Sequence, residues 1–207
     1  MTKTDVTRTL DGYRARQGEF RLVDLPDATY LAVDGRGDPN TDVFADAVET
    51  IYPVAYALKF ASKAQGRDYV VPPLEGLWWS DDMDSFTVAR DKAQWSWTLL
   101  NLLPDWLGDS DVARAVEKVG AKRRPKRLGD LRVESLSEGR CVQTLHVGSF
   151  DDEAGVLARL HDEFVPAHGL RMTGRHHEIY LSDFRRVPPE RRRTILRQPV
   201  LVADTSR

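Results

Sequence analysis

Apolar residues in this chain follow one progression twice: a short apolar run, then apolar positions three and four apart, then two further strand-like runs. The first unit opens with Ala28-Thr29-Tyr30-Leu31-Ala32-Val33, which predicts a strand, closed by the turn-rich stretch Asp34-Gly35-Arg36-Gly37-Asp38-Pro39-Asn40. Phe44, Val48, Ile51, Ala55 and Leu58 then share one helix face, with Asn40 or Thr41 as N-cap. Pro53 lies inside this pattern and predicts a kink or a break. Tyr52 and Tyr56 form an i, i+4 pair on a neighbouring face. After Pro72-Pro73, Leu74 to Trp79 predicts a second strand. A polar loop with Asp81, Asp82, Asp84, Arg90, Asp91 and Lys92 follows, and Trp95 to Leu102 predicts a third strand, stopped by Pro104.

The second unit repeats the order. Cys141 to Val147 predicts a strand; Ser149 or Asp151 caps a helix carrying Val156, Leu157, Leu160 and Phe164; His176 to Leu181 and Thr194 to Val200 predict two more strands. Aligned on their Ser-Asp ends, Leu74-Glu75-Gly76-Leu77-Trp78-Trp79-Ser80-Asp81 and His176-His177-Glu178-Ile179-Tyr180-Leu181-Ser182-Asp183 match Gly76 to Glu178 and Trp78 to Tyr180. The expected fold is α+β: duplicated strand–helix–strand–strand units related by a pseudo-two-fold, with a ligand groove between the halves on the sheet face away from the helices. The expected organisation is a polar arm over 1–27 and one domain over 28–201. Within it, 28–104 is the first repeat, 105–135 a helical and basic connection, and 140–201 the second repeat.

Composition narrows the classes. The chain has 207 residues, 41% of them hydrophobic, enough to bury a core. Its net charge of −2 gives no global reason to bind nucleic acid or an anionic membrane. The basic run Lys122-Arg123-Arg124-Pro125-Lys126-Arg127 has no interleaved aromatics and reads as a solvated linker. Neither a signal core nor a membrane-length apolar run is present. Cys141, the one cysteine, excludes an internal disulfide and fits a cytoplasmic setting.

Strand alternation groups His176, Glu178, Tyr180 and Ser182 on one face and His177, Ile179 and Leu181 on the other. The apolar set is expected to pack on the helices and the polar set to face an open groove. By the repeat, Gly76 and Trp78 face the groove and Trp79 the helices, unless a β-bulge swaps the tryptophans. Trp95 and Trp97 share a face on the adjacent strand. Aromatic faces bind flat or cationic ligands at about 0.5–2 kcal/mol per contact. A desolvated Glu178 can balance a cation or accept a proton; alternatively it pairs with Arg175 or Arg185, and the tryptophans are core. His161 with His168, and the His176-His177-Glu178 cluster, lack a zinc-ligand spacing. Gly35-Arg36-Gly37-Asp38-Pro39 lacks the lysine and third glycine of a phosphate loop. Neither metal nor cofactor is expected.

His176-His177-Glu178-Ile179-Tyr180-Leu181-Ser182-Asp183 followed by Thr194-Ile195-Leu196-Arg197-Gln198-Pro199 closely resembles the C-terminal signature of the GyrI-like small-molecule-binding family. Pro73 to Trp79, Gly35 to Asn40 and Cys141 to Gly148 resemble its stand-alone branch, and the likeness spans about residues 20–201. It implies a groove for hydrophobic, often cationic or planar compounds, with Glu178 as the acidic contact. Relatives fuse this domain to a DNA-binding helix-turn-helix; roughly 25 residues precede it here, too few for one, which argues against a transcription regulator. A subfamily of stand-alone members, which this tryptophan-rich chain resembles, hydrolyses cyclopropane-bearing DNA-alkylating antibiotics in an aromatic cage. The resemblance therefore implies stacking on Trp78, Trp79, Trp97, Tyr56 and Tyr180, with water handled by Glu178. A donor among His176, Tyr180 and Tyr56 would serve the carbonyl oxygen. The alternative is a binder that sequesters or senses its ligand without chemistry. Leu102-Leu103-Pro104 departs from the Gln-Pro of many members and alters the groove rim.

Overall fold

The computed structural model describes residues 3–81 and 91–203, so Asp82, Asp84 and Arg90 of the predicted polar loop lie outside the described residues. Among these residues the strands are β1 (Arg21–Leu25), β2 (Ala28–Arg36), β3 (Leu74–Trp79), β4 (Ser96–Leu102), β5 (Arg132–Leu136), β6 (Gly139–Val147), β7 (Leu170–Met172), β8 (His176–Tyr180) and β9 (Arg193–Val202). The helices are α1 (Val6–Thr9), α2 (Asp42–Ala64), α3 (Asp109–Lys122), α4 (Ala154–Ala158) and α5 (Val165–Ala167). The chain divides into two compact units, Met1–Thr9 with Ala28–Leu136 and Leu10–Asp27 with Ser137–Arg207.

In the first unit the antiparallel order is β3-β4-β2-β5. The predicted face of α2 is the buried one, and its Val54, Ala55 and Leu58 pack with Leu31 of β2 and with Val112, Ala115 and Val119 of α3. Each fully buried leucine here contributes about 1.5–3 kcal/mol. Pro53 does not break α2. The carbonyl it leaves without a donor belongs to Glu49, four residues earlier on the exposed side, where water can serve it. Asn101 of β4 donates through Nδ2 to the Pro72 and Pro73 carbonyls at 2.9 and 3.2 Å and so ties down the entry to β3. The non-repeating segment holds α3, as predicted, and also β5. The alternation Arg132-Val133-Glu134-Ser135-Leu136 is only partly buried, at the outer edge of β2.

In the second unit the antiparallel order is β8-β9-β6-β1, and β7 pairs with β9. Each unit thus sets its third predicted strand, β4 or β9, between the first and the second. The expected single helix of this unit is segmented: a 3-10 turn (Phe150–Glu153), α4, a π turn (Arg159–Phe164) and α5. Gly155 weakens its start and Pro166 removes a donor near its end, so no continuous ladder forms. Leu160 and Val165 of this segment pack on Val142 and Val200. The residues expected as a polar arm include β1, an edge strand on β6. Before it, Tyr13 and Ala15 cover Leu145, Ile179 and Ile195 on the other sheet face. There the Arg197 guanidinium donates to the Gly12 carbonyl at 2.7 Å, and Gln143 Nε2 to the Arg14 carbonyl at 2.9 Å.

Candidate functional site

Strand alternation on β8 holds: His176, Glu178 and Tyr180 share one face. The direction of that face differs from expectation. The Tyr180 ring meets Phe150 edge-on at 5.6 Å, His176 meets His161 of the π turn at 6.1 Å, and Glu178 acts electrostatically on Glu153. The polar set therefore lies on the helix-bearing face of its unit, and the face opposite the helices is closed by residues 10–17. The expectation erred because Ile179 needs an apolar cover, and the chain supplies that cover from its N-terminal segment.

Glu178 and Tyr180 form the centre of this face. The Tyr180 hydroxyl donates to Glu178 Oε2 at 2.8 Å. Phe184 meets the Tyr180 ring edge-on at 5.9 Å and Phe150 at 6.2 Å, so three aromatic rings cluster beside the carboxylate. The Glu178 side chain is 13% exposed. His176 Nε2 stands 3.7 Å from Glu178 Oε1, too long for a hydrogen bond, and neither ring nitrogen has a hydrogen-bond partner among the described residues. Burial, reinforced by His161 and His177, pushes the His176 pKa down to about 3, so its imidazole is neutral near pH 7. Arg185 forks onto Asp183 at 2.9 and 3.1 Å.

Glu153 was not among the sequence candidates. It ends the 3-10 turn after β6, is 4% exposed, and takes a hydrogen bond from Thr194, the residue opposite Tyr180 on β9. Burial and the neighbouring Glu178 hold its pKa well above the usual carboxylate range. In sequence, Asp151-Asp152-Glu153 reads as ordinary acidic residues at a helix start; only the register of β9 against β8 brings the third of them to Glu178.

The other predicted residues lie in the first unit. Trp78 stacks on Phe44 of α2, with centroids 6.0 Å apart and planes 19° apart, and meets Trp95 edge-on at 5.9 Å. Trp78, not Trp79, therefore takes the helix side, and half-buried Trp79 takes the other; the assumed orientation is reversed. Trp97, directly opposite Trp78 on β4, is fully buried, with its Nε1 donating to the Gly37 carbonyl at 3.2 Å and Phe44 edge-on at 5.1 Å. A Cβ on Gly35 would sit 2.0 Å from the Trp97 ring, so glycine there permits the close approach. Tyr56 stands exposed on α2, between Tyr52 and Phe60, each 6.3 Å away. Cys141 is buried and its thiol is pushed up to about 12, chiefly by burial, which suits a small core residue. Among the described residues no three His, Cys, Asp or Glu side chains are grouped to hold a metal ion, and no helix is long and apolar enough to cross a membrane.

Three solved structures from Listeria innocua resemble the chain closely. An uncharacterized conserved protein is 35% identical, with a TM-score of 0.87 over 96% of this chain and 100% of that one. A hydrolase encoded by lin2189 is 34% identical, with a TM-score of 0.84 over 97% and 100%. A further hydrolase is 35% identical, with a TM-score of 0.83 over 96% and 100%. A comparison with curated proteins gives no match. The GyrI-like small-molecule-binding domain matches residues 18–200. With that match over most of its length, the chain belongs to the GyrI-like small-molecule-binding family.

Proposed function

We propose that the protein binds hydrophobic planar or cationic compounds and opens, by hydrolysis, the cyclopropane of DNA-alkylating ligands. The observation that carries this reading is the Tyr180–Glu178 pair among Phe150 and Phe184 on the helix-bearing face of the second unit. Similarity to two proteins described as hydrolases supports the chemical half of the reading.

The reaction asks little of the protein. Water oxygen bonds to the strained ring carbon and gives a proton to Glu178. The cyclopropane C–C bond breaks, and its electron pair passes through the conjugated ring to the carbonyl oxygen, which becomes a phenolate and then takes a proton. Strain release and aromatisation drive the step, so positioning and proton transfer suffice. Tyr180 orients Glu178 through its hydroxyl, and His176, neutral at pH 7, is able to donate a hydrogen bond to the developing oxyanion. Within the first unit, Trp97 is fully buried and serves packing, while Tyr56 is exposed and Trp79 half-buried.

The test is turnover with the protein at a tenth of the concentration of a cyclopropyl-dienone alkylator, followed by liquid chromatography–mass spectrometry. Complete conversion to the water adduct supports the hydrolase. Stoichiometric protection of intact ligand identifies a binding protein that sequesters its ligand. The latter reading draws on the family itself, whose description is small-molecule binding.

A further inference from the structure

The loop between β8 and β9 closes back on the aromatic cluster of the second unit. Pro188 precedes a 3-10 turn, Pro189–Arg191, and Arg192 leaves that turn with an extended backbone. The Gly148 N–H, just after β6, donates to the Arg192 carbonyl at 3.0 Å and so brings Arg192 alongside the residues that follow Gly148. Its guanidinium donates through Nε to the Val187 carbonyl at 3.2 Å and through Nη2 to the Phe184 carbonyl at 2.9 Å. Held by that fork, it lies over the Phe150 ring, 5.2 Å from the centroid. Phe150 meets Tyr180 at 5.6 Å and Phe184 at 6.2 Å, both edge-on, so the guanidinium that ties down the loop also sits on the ring shared by the cluster. Phe150, Phe184 and Arg192 are half-buried, while Arg185 and Arg186 are turned onto Asp183 at 2.9 and 3.5 Å.

We propose that Arg192 is a specificity-determining residue that tunes this cluster to uncharged planar ligands and against cationic ones. Resting on the ligand-binding reading above, Arg192 narrows the ligand class from planar or cationic compounds to planar neutral ones. An aromatic ring attracts a cation through the negative potential of its face, and Arg192 already draws on that potential at Phe150. A second cation at these rings meets a like charge, and the exclusion of water on binding strengthens the repulsion. Glu178 alone would favour a cation. The guanidinium offsets it at the ring that touches Tyr180, whose hydroxyl that carboxylate accepts. A flat neutral ligand keeps the stacking and dispersion contacts of the rings and leaves both charges with their present partners. Arginine suits the place because its planar fork serves two carbonyls while its delocalised charge lies over a ring, a combination that lysine does not offer.

The experiment uses two fluorescent dyes of one shape, neutral N-methylacridone and cationic N-methylacridinium, titrated with the whole protein and followed by anisotropy. Wild type should bind N-methylacridone the more tightly. In Arg192→Gln the cationic dye should gain about threefold to tenfold in affinity, while the neutral dye moves by less than about twofold. Arg192→Lys keeps the charge and loses the fork, and should retain the wild-type preference, which separates charge from loop geometry. A wild type that prefers the cation, an unmoved cation affinity in Arg192→Gln, or an Arg192→Lys variant that behaves like Arg192→Gln would each overturn the proposal. No saturable binding of either dye would overturn the reading of the cluster as a ligand site and the proposal with it. Selective dye binding without turnover of a cyclopropyl-dienone would sink only the ring-opening reading.

Discussion

The two units use corresponding strands for opposite purposes. On β3 of the first unit, Gly76 and Trp78 turn to α2, and Phe44 seals them with Trp97 into an aromatic core. On β8 of the second unit, the aligned Glu178 and Tyr180 turn to a segmented helix whose first turn offers Phe150 and Glu153. A continuous 23-residue helix fills its sheet face with side chains. The broken one brings a second carboxyl to that face, and ionisable groups there are held away from their ordinary states. The difference teaches that one strand pattern specifies which residues share a face, while the covering segment decides whether that face becomes core or chemistry.

The largest effect is expected where the first unit is core. Trp97→Ala should lower the unfolding free energy by about 3–5 kcal/mol in urea titrations. A loss below about 1 kcal/mol would mean that this face is not a packed core and would erase the contrast.

A smaller effect tests the side of the second unit closed by the N-terminal segment. There Glu138 binds His177 at 2.9 Å and Arg197 at 2.8 Å, and despite its burial these partners hold its pKa down to about 2. Lowered in the fold, this pKa stabilises the protein fully above about pH 4.5, and the contribution is lost as the pH falls toward 2. Glu138→Gln should therefore cost on the order of 3 kcal/mol at pH 7 and progressively less at acid pH. A pH-independent difference would contradict the assignment.

Glu153 has the opposite sign. Its pKa is raised in the fold, so the stability tied to its neutral form is present at acid pH and lost as the pH rises through the folded value. Replacing it with permanently neutral glutamine should stabilise the protein relative to wild type, increasingly as the pH rises above the ordinary carboxylate range. Thermal melts at rising pH check it, and a variant that loses ground as the pH rises would show that Glu153 is ionised in the fold.

Much of the fold is legible in the sequence because its signals are local. The bounds of β3, the buried face of α2 and the sharing of one face by His176, Glu178 and Tyr180 follow from periods of 2 and 3.6. The direction of the β8 face is not legible, because it depends on residues 10–17 crossing to cover Ile179, a contact more than 160 positions away in sequence. Trp78 and Trp79 are alike in type, and only Phe44 packing distinguishes them. Glu153 is invisible for the same reason, since its meaning comes from the β8–β9 register rather than from its neighbours.

The most direct test of the central claim is turnover of a cyclopropyl-dienone substrate by Glu178→Gln, measured beside its melting temperature. The account predicts a loss of at least a hundredfold in turnover, as expected when a general base is removed, with little change in melting temperature. Unchanged turnover in a folded variant would contradict it, and the carboxylate would then have to be read as a binding or packing group.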